Sequence, residues 1–454
     1  MLLVNQKLIL FPLLLTSLLF SKEEFSIEEM KSYLSEENPY VYSSLAKKSL
    51  NEKRLISARG VYDTTITAQY DEKEYPYTEG TYYAAGVKKF TESGIELSGI
   101  YRYADGTQEY NNIKTGKNGE FLVGAKLPII TLLNQMDERR LRVSLTQMDI
   151  KNAEFRYKEA MRSLYFTMMS EYYLLLYNKS LVEVTQRLYE KITKREEYIE
   201  RSIKEGSLPK IALLEVQQQR IHANQELINA SRAFENGFVA FLKYLNLSKE
   251  AFNAKYRLPK LPDLQNLVIE YNETLQEALR NRSDFKIYDT EIEKLMLERK
   301  NNQRKEFPNL DVGIYGVKDV NEDSGFKLSL NFNFPVARSE YRGKELEIAQ
   351  KKSIIESEKE ILLRELKADL QKIIYSLDIL DKTLTNALEE RDLLSALEDA
   401  ERKKYTLGAS TLFILNQREI RTMESEKKIL QYKLEKQLLF ESYKRMTSQH
   451  DLGS

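Results

Sequence analysis

The stretch Ser324–Gln350, SGFKLSLNFNFPVARSEYRGKELEIAQ, changes its hydrophobic pattern halfway along. Phe326, Leu328, Leu330, Phe332 and Phe334 fall on one side of an extended chain, and Lys327, Ser329, Asn331 and Asn333 on the other. This two-residue period predicts a β-strand. After Pro335 the pattern becomes helical. Ile348, Ile354 or Ile355, Ile361 or Leu362, Leu366, Leu370, Ile373 and Leu377 recur every three or four positions with Lys and Glu between them. That spacing predicts a long coiled-coil-like helix from about Glu340 to Leu407.

The same succession occurs earlier in the chain. SIEEMKSYLSEENPY (Ser26–Tyr40) is matched by TLQEALRNRSDF (Thr274–Phe285), and setting Tyr40 on Phe285 places Arg59 on Arg304. The extended segments Val61–Tyr70 and Gly119–Ile129 correspond to Phe307–Gly316 and Gly325–Val336, with Pro128 on Pro335. A helical pattern from about Leu132 to Glu205 then matches the one described above, and each breaks at a glycine, Gly206 or Gly408. At about 1.5 Å per residue such helices run on the order of 100 Å. The predicted organisation is a segment removed at 1–21, a first repeat at 22–254, a linker at 255–267 and a second repeat at 268–454.

The repeats differ in one place. Asp63 to Pro128 is 65 positions and Pro308 to Pro335 is 27, so the first repeat carries 38 extra residues. They contain two more alternating runs, Thr81–Phe90 and Ile95–Tyr103, joined through Ser93-Gly94, which read as an added hairpin. Tyr75, Tyr77, Tyr82, Tyr83, Phe90, Tyr101, Tyr103 and Tyr110 cluster there. Such a cluster fits an interfacial aromatic band or an external hairpin.

Composition narrows the function. The chain of 454 residues has 69 Lys+Arg against 69 Asp+Glu, without the basic excess of a nucleic-acid binder. It has no Cys, which excludes disulfides, thiolate catalysis and Cys-ligated metals. His222 and His450 are the only histidines and read as helix-surface residues. No phosphate loop, metal cluster or nucleophile constellation appears, so neither an enzyme nor a cofactor is expected. Met168 and Met169, within LYFTMMSEYYLLLY (Leu164–Tyr177), read as core filling in a helix that is apolar nearly all round. Lys7 and the apolar run Leu8–Phe20, followed by a cleavage site at Leu19-Phe20-Ser21, predict a signal peptide.

The alternating strands have no globular core to cover, because the remaining elements are coiled-coil-like. A barrel wall fits instead, with Phe326, Leu328, Leu330, Phe332 and Phe334 toward lipid and Lys327, Asn331 and Asn333 toward a wet lumen. Two strands come from the second repeat and two to four from the first. Open edges are not tolerated in lipid, so several chains must share the barrel.

The ordered features taken together resemble the outer membrane efflux protein (TolC-like) family over about Phe25 to Arg445. They are the duplicated order of elements, the Asn38-Pro39 and Arg282-Ser283-Asp284 turns, Pro308, the strand-ending Pro128 and Pro335, the turns at Gly206 and Gly408, and AFLKYLNLS (Ala240–Ser248). The resemblance implies a mainly α fold with a small β part. Long antiparallel helices form a periplasmic α-barrel, and each protomer of a homotrimer gives four strands, or six if the added hairpin joins, to one transmembrane β-barrel. It further implies an exit duct of a tripartite efflux or type I secretion system, passive and gated at its periplasmic end, with most of the mass in the periplasm. A periplasmic adaptor would dock at Gly206, Ser207, Pro209, Gly408, Ala409 and Ser410, and would link the duct to an inner-membrane transporter. Tyr405 matches a gate tyrosine of the family. The family's two acidic gate positions are Ile414 and Gln417 in this chain, and Glu215 is the other candidate for charge at the gate. The competing reading is a secreted coiled-coil adhesin or fibre subunit. It accounts for the helices and the leader but not for strand pairs set between helices in two aligned copies.

Overall fold

The computed structural model describes residues 22–76, 78–106, 115–264, 269–320 and 324–448. The predicted leader, His450, Tyr77 and Tyr110 lie outside them. In chain order the elements are β1 (Glu23–Glu24), α1 (Ile27–Ser32), α2 (Pro39–Arg59), β2 (Thr65–Tyr75), β3 (Thr78–Phe90), β4 (Glu96–Gly106), β5 (Glu120–Pro128), α3 (Ile129–Asn134), α4 (Glu138–Lys204) and α5 (Ile211–Leu245). They continue with α6 (Lys249–Lys255), β6 (Tyr256–Arg257), α7 (Tyr271–Asn281), α8 (Ser283–Gln303), β7 (Asn309–Asp319), β8 (Ser324–Asn333), α9 (Ser339–Thr406) and α10 (Leu412–Thr447). Single 3₁₀ turns, Gly60–Tyr62 and Arg304–Glu306, follow α2 and α8.

Corresponding elements have nearly equal lengths. α2 and α8 both have 21 residues, α4 has 67 against 68 for α9, and α5 has 35 against 36 for α10. The backbone repeats as well. Left-handed residues stand at Gln135, Gly206 and Asn246, and again at Arg338, Gly408 and Ser448. The first of each set precedes the long helix, the second ends it, and the third ends the helix after it. The alignment shifts by one residue at α8. Val41 is 1% exposed and Tyr40 44%, so Val41 is the counterpart of the buried Phe285, and pairing by Tyr40 is one position off.

The first long helix is shorter than its periodicity predicts. Gln135, at φ 54°, ends α3, and Asp137 caps a new start: its Oδ1 accepts from the Arg140 N–H at 2.8 Å and its carbonyl from the Leu141 N–H at 2.8 Å. In α9 the alternatives resolve to Ile355 and Leu362, since Ile354 and Ile361 are exposed, whereas Ile348, Leu366, Leu370, Ile373 and Leu377 are buried. Met168, Met169, Tyr172, Leu175 and Leu176 of α4 are all buried, so both methionines are core residues.

The described chain forms two compact units, each drawing on both repeats. One comprises the described residues of 22–38, 168–264 and 382–437. Phe25 lies at its aromatic centre, with ring centroids of Tyr172, Phe241, Phe252 and Tyr256 between 5.1 and 5.9 Å away. Tyr172 Oη donates to the Phe25 carbonyl at 2.9 Å, and burial pushes its phenol far up. β1 and β6 pair in parallel beside this cluster. Asn38 Nδ2 donates to the Tyr33 and Tyr244 carbonyls at 2.9 and 2.7 Å. Pro39 then occupies the first helical position, where a missing N–H costs nothing.

The other unit comprises the described residues of 39–167, 269–381 and 438–448. Ala278, Phe285 and Leu366 are buried together there, with Leu275, Leu362 and Met446 packed around them. Its sheet has six antiparallel strands in the order β2-β3-β4-β5-β7-β8. The added hairpin is β3–β4, and it lies within the sheet between β2 and β5.

Candidate functional site: a two-faced sheet and two glycine turns

The strand register sorts the sheet into two faces. One row of partners runs Ile66, Val87, Gly99, Val123, Gly316, Phe326 across all six strands. Rows beside it hold Leu97, Ala125, Ile314 and Leu328, and then Leu127, Val312 and Leu330. Successive residues of a strand face opposite ways, so these rows share one face. That face is apolar and bare: Ile66 is 84% exposed, Phe326 85% and Leu330 70%. Leu328 and Phe332 are also exposed on it. The opposite face carries Thr67, Gln69, Lys88, Glu96, Ser98, Arg102, Glu120, Lys126, Asp311, Lys327, Asn331 and Asn333. There the Arg102 guanidinium pairs with the Glu120 carboxylate across adjacent strands, and Lys126 Nζ lies 2.9 Å from Asp311.

Tyr70, Tyr83 and Tyr103 form a cross-strand ladder on the apolar face. Tyr83 and Tyr103 stack at 4.8 Å, and Tyr101 and Phe121 lie 5.1 Å apart beside them. This band sits toward the end of the sheet farther from α3. Tyr82 and Phe90 fall on the polar face instead, and the Arg139 guanidinium lies 3.5 Å over the Phe90 ring. Phe334 departs from the sequence expectation. β8 ends at Asn333, and Phe334 lies beyond it, half-buried, with the Arg338 guanidinium 5.8 Å from its ring. The alternation continued one residue past the ladder, where Pro335 and the left-handed Arg338 already turn the chain.

The two glycine turns lie in the first unit and share one hydrogen-bond scheme. The Gly206 N–H donates to the Ile203 carbonyl at 3.0 Å and the Ser207 N–H to the Ser202 carbonyl at 2.9 Å. The Gly408 N–H donates to the Tyr405 carbonyl at 3.0 Å and the Ala409 N–H to the Lys404 carbonyl at 2.9 Å. Both are Schellman caps with glycine at the left-handed position, φ 76° and 73°. A Cβ on either glycine would meet nothing within 4 Å, so the backbone conformation alone demands glycine there. Pro209 then leads into α5, its carbonyl accepting from the Ala212 N–H at 3.1 Å. Ser207, Tyr405, Gly408 and Ser410 line one open cleft of about 770 Å³, and Ser410 Oγ donates to the Glu401 carboxylate.

The three gate candidates do not meet. Tyr405 packs against the core formed by Ile192, Ile199, Val216, Leu412 and Met423. Burial pushes its phenol up, and Arg195 pulls it partly back. Glu215 and Gln417 are exposed and line a different cavity of about 420 Å³, together with His222 and Phe413.

A charged cluster near these turns escaped the sequence reading. Arg195 Nη2 contacts both Glu419 carboxylate oxygens at 2.5 Å, and Arg195 Nη1 donates to Asn416 Oδ1. Arg402 bridges Glu419 at 3.2 Å and Glu398 at 2.5 Å, and Lys191 Nζ reaches Glu398 at 3.1 Å. Burial pushes the Glu398 carboxyl up, but hydrogen bonds from Lys191 and Thr422 and the nearby positive charges bring it below the usual carboxylate range. Partners more than 200 positions apart leave no trace in one sequence. Each charge reads there as part of a solvated helix face.

No family model matches the chain, and no curated protein matches it. Solved structures do. The outer-membrane channel OprN superposes with a TM-score of 0.69 at 11% identity, covering 94% of this chain and 90% of its own. The Campylobacter jejuni CmeC outer membrane channel gives 0.68 at 11% identity, covering 98% and 93%. The Vibrio cholerae outer membrane protein VceC gives 0.68 at 10% identity, covering 92% and 95%. At such identities the likeness concerns the fold, and it runs nearly end to end in both directions: the chain has the TolC-like fold of outer-membrane efflux channels.

Proposed function

We propose that this chain is the outer-membrane exit duct of a tripartite efflux or type I secretion system. It works as a homotrimer, its sheet set in the outer membrane and its long helices forming the periplasmic duct. The observation that carries this reading is the bare apolar face running across six strands, with the outer edges of β2 and β8 lacking a partner strand among the described residues. In water such a face and such edges would aggregate. In a bilayer the apolar face is solvated by lipid, and the edges find partners in neighbouring copies. The polar face, with Lys327, Asn331 and Asn333, lines the water-filled lumen. A secreted coiled-coil fibre would have no use for such a face. Phe334, beyond the strand end, is left out of the lipid-facing set.

The turns at Gly206, Ser207 and Pro209 and at Gly408, Ala409 and Ser410 are the docking surface for a periplasmic adaptor, through which an inner-membrane transporter supplies the energy. Their common cap geometry and shared cleft support a single recognition surface. Tyr405 belongs to the gate, with Gln417 and Glu215 setting its charge. The duct performs no chemistry and needs no cofactor.

The test is reconstitution into planar bilayers. Purified protein should give discrete conductance steps, rising when the Gly206 and Gly408 turns are altered to loosen the gate. Absence of conductance in both wild type and turn variants would refute the channel. Outer-membrane fractionation and a heat-resistant trimer on gels are the accompanying expectations.

A further inference from the structure

We infer that the hairpin β3–β4 is a working part of the membrane wall, so that three copies close a barrel of eighteen strands rather than twelve. This rests on the channel reading above and extends it. Three independent features of the sheet support it.

The first is facing. Val87 and Leu97 of the hairpin lie in the same exposed apolar rows as Val123, Ile314, Phe326 and Leu328. A hairpin extruded into solvent has no reason to keep its apolar side in register with a lipid face. The second is the aromatic band, which passes through the hairpin by way of Tyr83, Tyr101 and Tyr103 and reaches Phe121 on β5.

The third is curvature. A Cβ is crowded on the concave side of a sheet and free on the convex side. On the polar face, a Cβ at Gly124 would fall 2.1 Å from the Ile314 carbonyl oxygen, and one at Gly313 2.3 Å from Ser329 Oγ. Gly86, in the hairpin, shows the same crowding on the same face, 2.5 Å from the Gly99 carbonyl oxygen. On the apolar face, Cβ atoms at Gly99 and Gly316 would meet nothing nearer than 3.9 and 3.8 Å. Among the interior strands the hairpin therefore bends the way its neighbours bend, with the polar side concave, as a barrel wall requires, whereas Gly325, at the start of the edge strand β8, faces the polar side with nothing within 4 Å.

The occupant of each open edge is a second copy of this chain. β2 runs away from the helical end of the sheet and β8 runs back toward it, so β8 of one copy meets β2 of the next antiparallel. Ile66, Ala68 and Tyr70 then continue the apolar face of Phe326, Leu328 and Leu330. Barrel diameter grows roughly linearly with strand number. Eighteen strands therefore give a bore about 1.5 times as wide as twelve, in the range that leaves an aqueous channel.

The chain has no Trp and no Cys, so single reporters carry no background. V87W, L97W, F326W and T67W would be reconstituted separately into vesicles of brominated and of ordinary phosphatidylcholine. F326W, V87W and L97W should lose at least about half their fluorescence in brominated lipid, and T67W, on the polar face, should lose little. Quenching of F326W without quenching of V87W and L97W would overturn the eighteen-stranded wall and leave the channel reading intact. No quenching at any position, or equal quenching of T67W, would overturn both. As a second measurement, cysteines at Thr65, Thr67 or Gln69 would be combined with cysteines at Ser329, Asn331 or Asn333 in the intact trimer. At least one combination should yield a trimeric disulfide ladder without reductant. Failure of all nine, with V87W and L97W unquenched, would place β8 against some other strand.

Discussion

The ion cluster of Arg195, Glu419, Arg402 and Glu398, buried at Arg195, Glu419 and Glu398, predicts an ordering of stabilities. The Glu419 side chain is 2% exposed and Arg195 10%, whereas Lys191 and Arg402 remain 46% and 42% exposed. In E419Q, Arg402 keeps Glu398 as a partner, but the buried Arg195 loses its carboxylate and faces only neutral amide oxygens, that of Asn416 and that of the new side chain. Removing one member of a buried pair costs about 3–5 kcal/mol. Arg402 is spared, so the lower end applies, about 3 kcal/mol or on the order of 150-fold in the unfolding equilibrium. In E398Q, water replaces the lost carboxylate at two half-exposed cations, and the cost should be about 1 kcal/mol. The double variant R195M/E419M removes both buried charges and should lie within about 1 kcal/mol of wild type. Urea unfolding followed by helical circular dichroism, at fixed protein concentration in detergent, gives all three values. If E419Q proved no more damaging than E398Q, or R195M/E419M less stable than E419Q, the cluster would not be the desolvated ion network described.

Other outcomes follow from the same structure. G206A and G408A should each cost about 1–2 kcal/mol, because alanine at a left-handed φ is strained even in open space, and asparagine should cost less; unchanged unfolding midpoints would refute the cap argument. The carboxyl of Glu398 is held below its ordinary value of 4.5, and so is that of Glu226 through its hydrogen bond from Lys427. The unfolded chain therefore takes up these protons first, and the stabilisation present above about pH 4.5 is lost as pH falls through the lowered values. The urea midpoint should drop on acidification, less so in E398Q/E226Q, and a rising midpoint would contradict the assignment. G86A should reduce the yield of heat-resistant trimer on gels while G316A leaves it unchanged, since only the first glycine faces crowded backbone.

Much of this fold is legible in the sequence, for reasons that can be named. Period-two alternation marks β8, because its apolar residues have a single face to occupy. Pro128 and Pro335 mark the strand ends. Gly206 and Gly408 mark the helix ends, because only glycine adopts those angles without cost. The boundaries that periodicity blurs are set by local hydrogen bonds. Asp137 opens α4 three residues after Asn134 closes α3, and a cap residue within an apolar pattern is easily read through. Phe334 obeys the period but lies beyond the ladder that gives the period its meaning. The place of the added hairpin is legible only through register. Alternation says that Val87 and Leu97 share a face with each other, and only pairing says that they share it with Phe326. The ion network is invisible in one dimension, since it joins α4 to α9 and α10.

The added hairpin also limits how a chain of this design can change its calibre. β5 must leave the sheet at the end where α3 begins, so any insertion between β2 and β5 has to return the chain to the same end. One extra strand would deliver the following 67-residue helix to the opposite end of the sheet. Two return it to the same end. In the proposed trimer width is then quantised: each hairpin gained or lost by the gene appears three times in the assembly and changes the ring by six strands at a step. The helices, matched at 67 and 68 residues, keep their length throughout. In the proposed duct, a wider opening is thus reached without altering the surface offered to the adaptor.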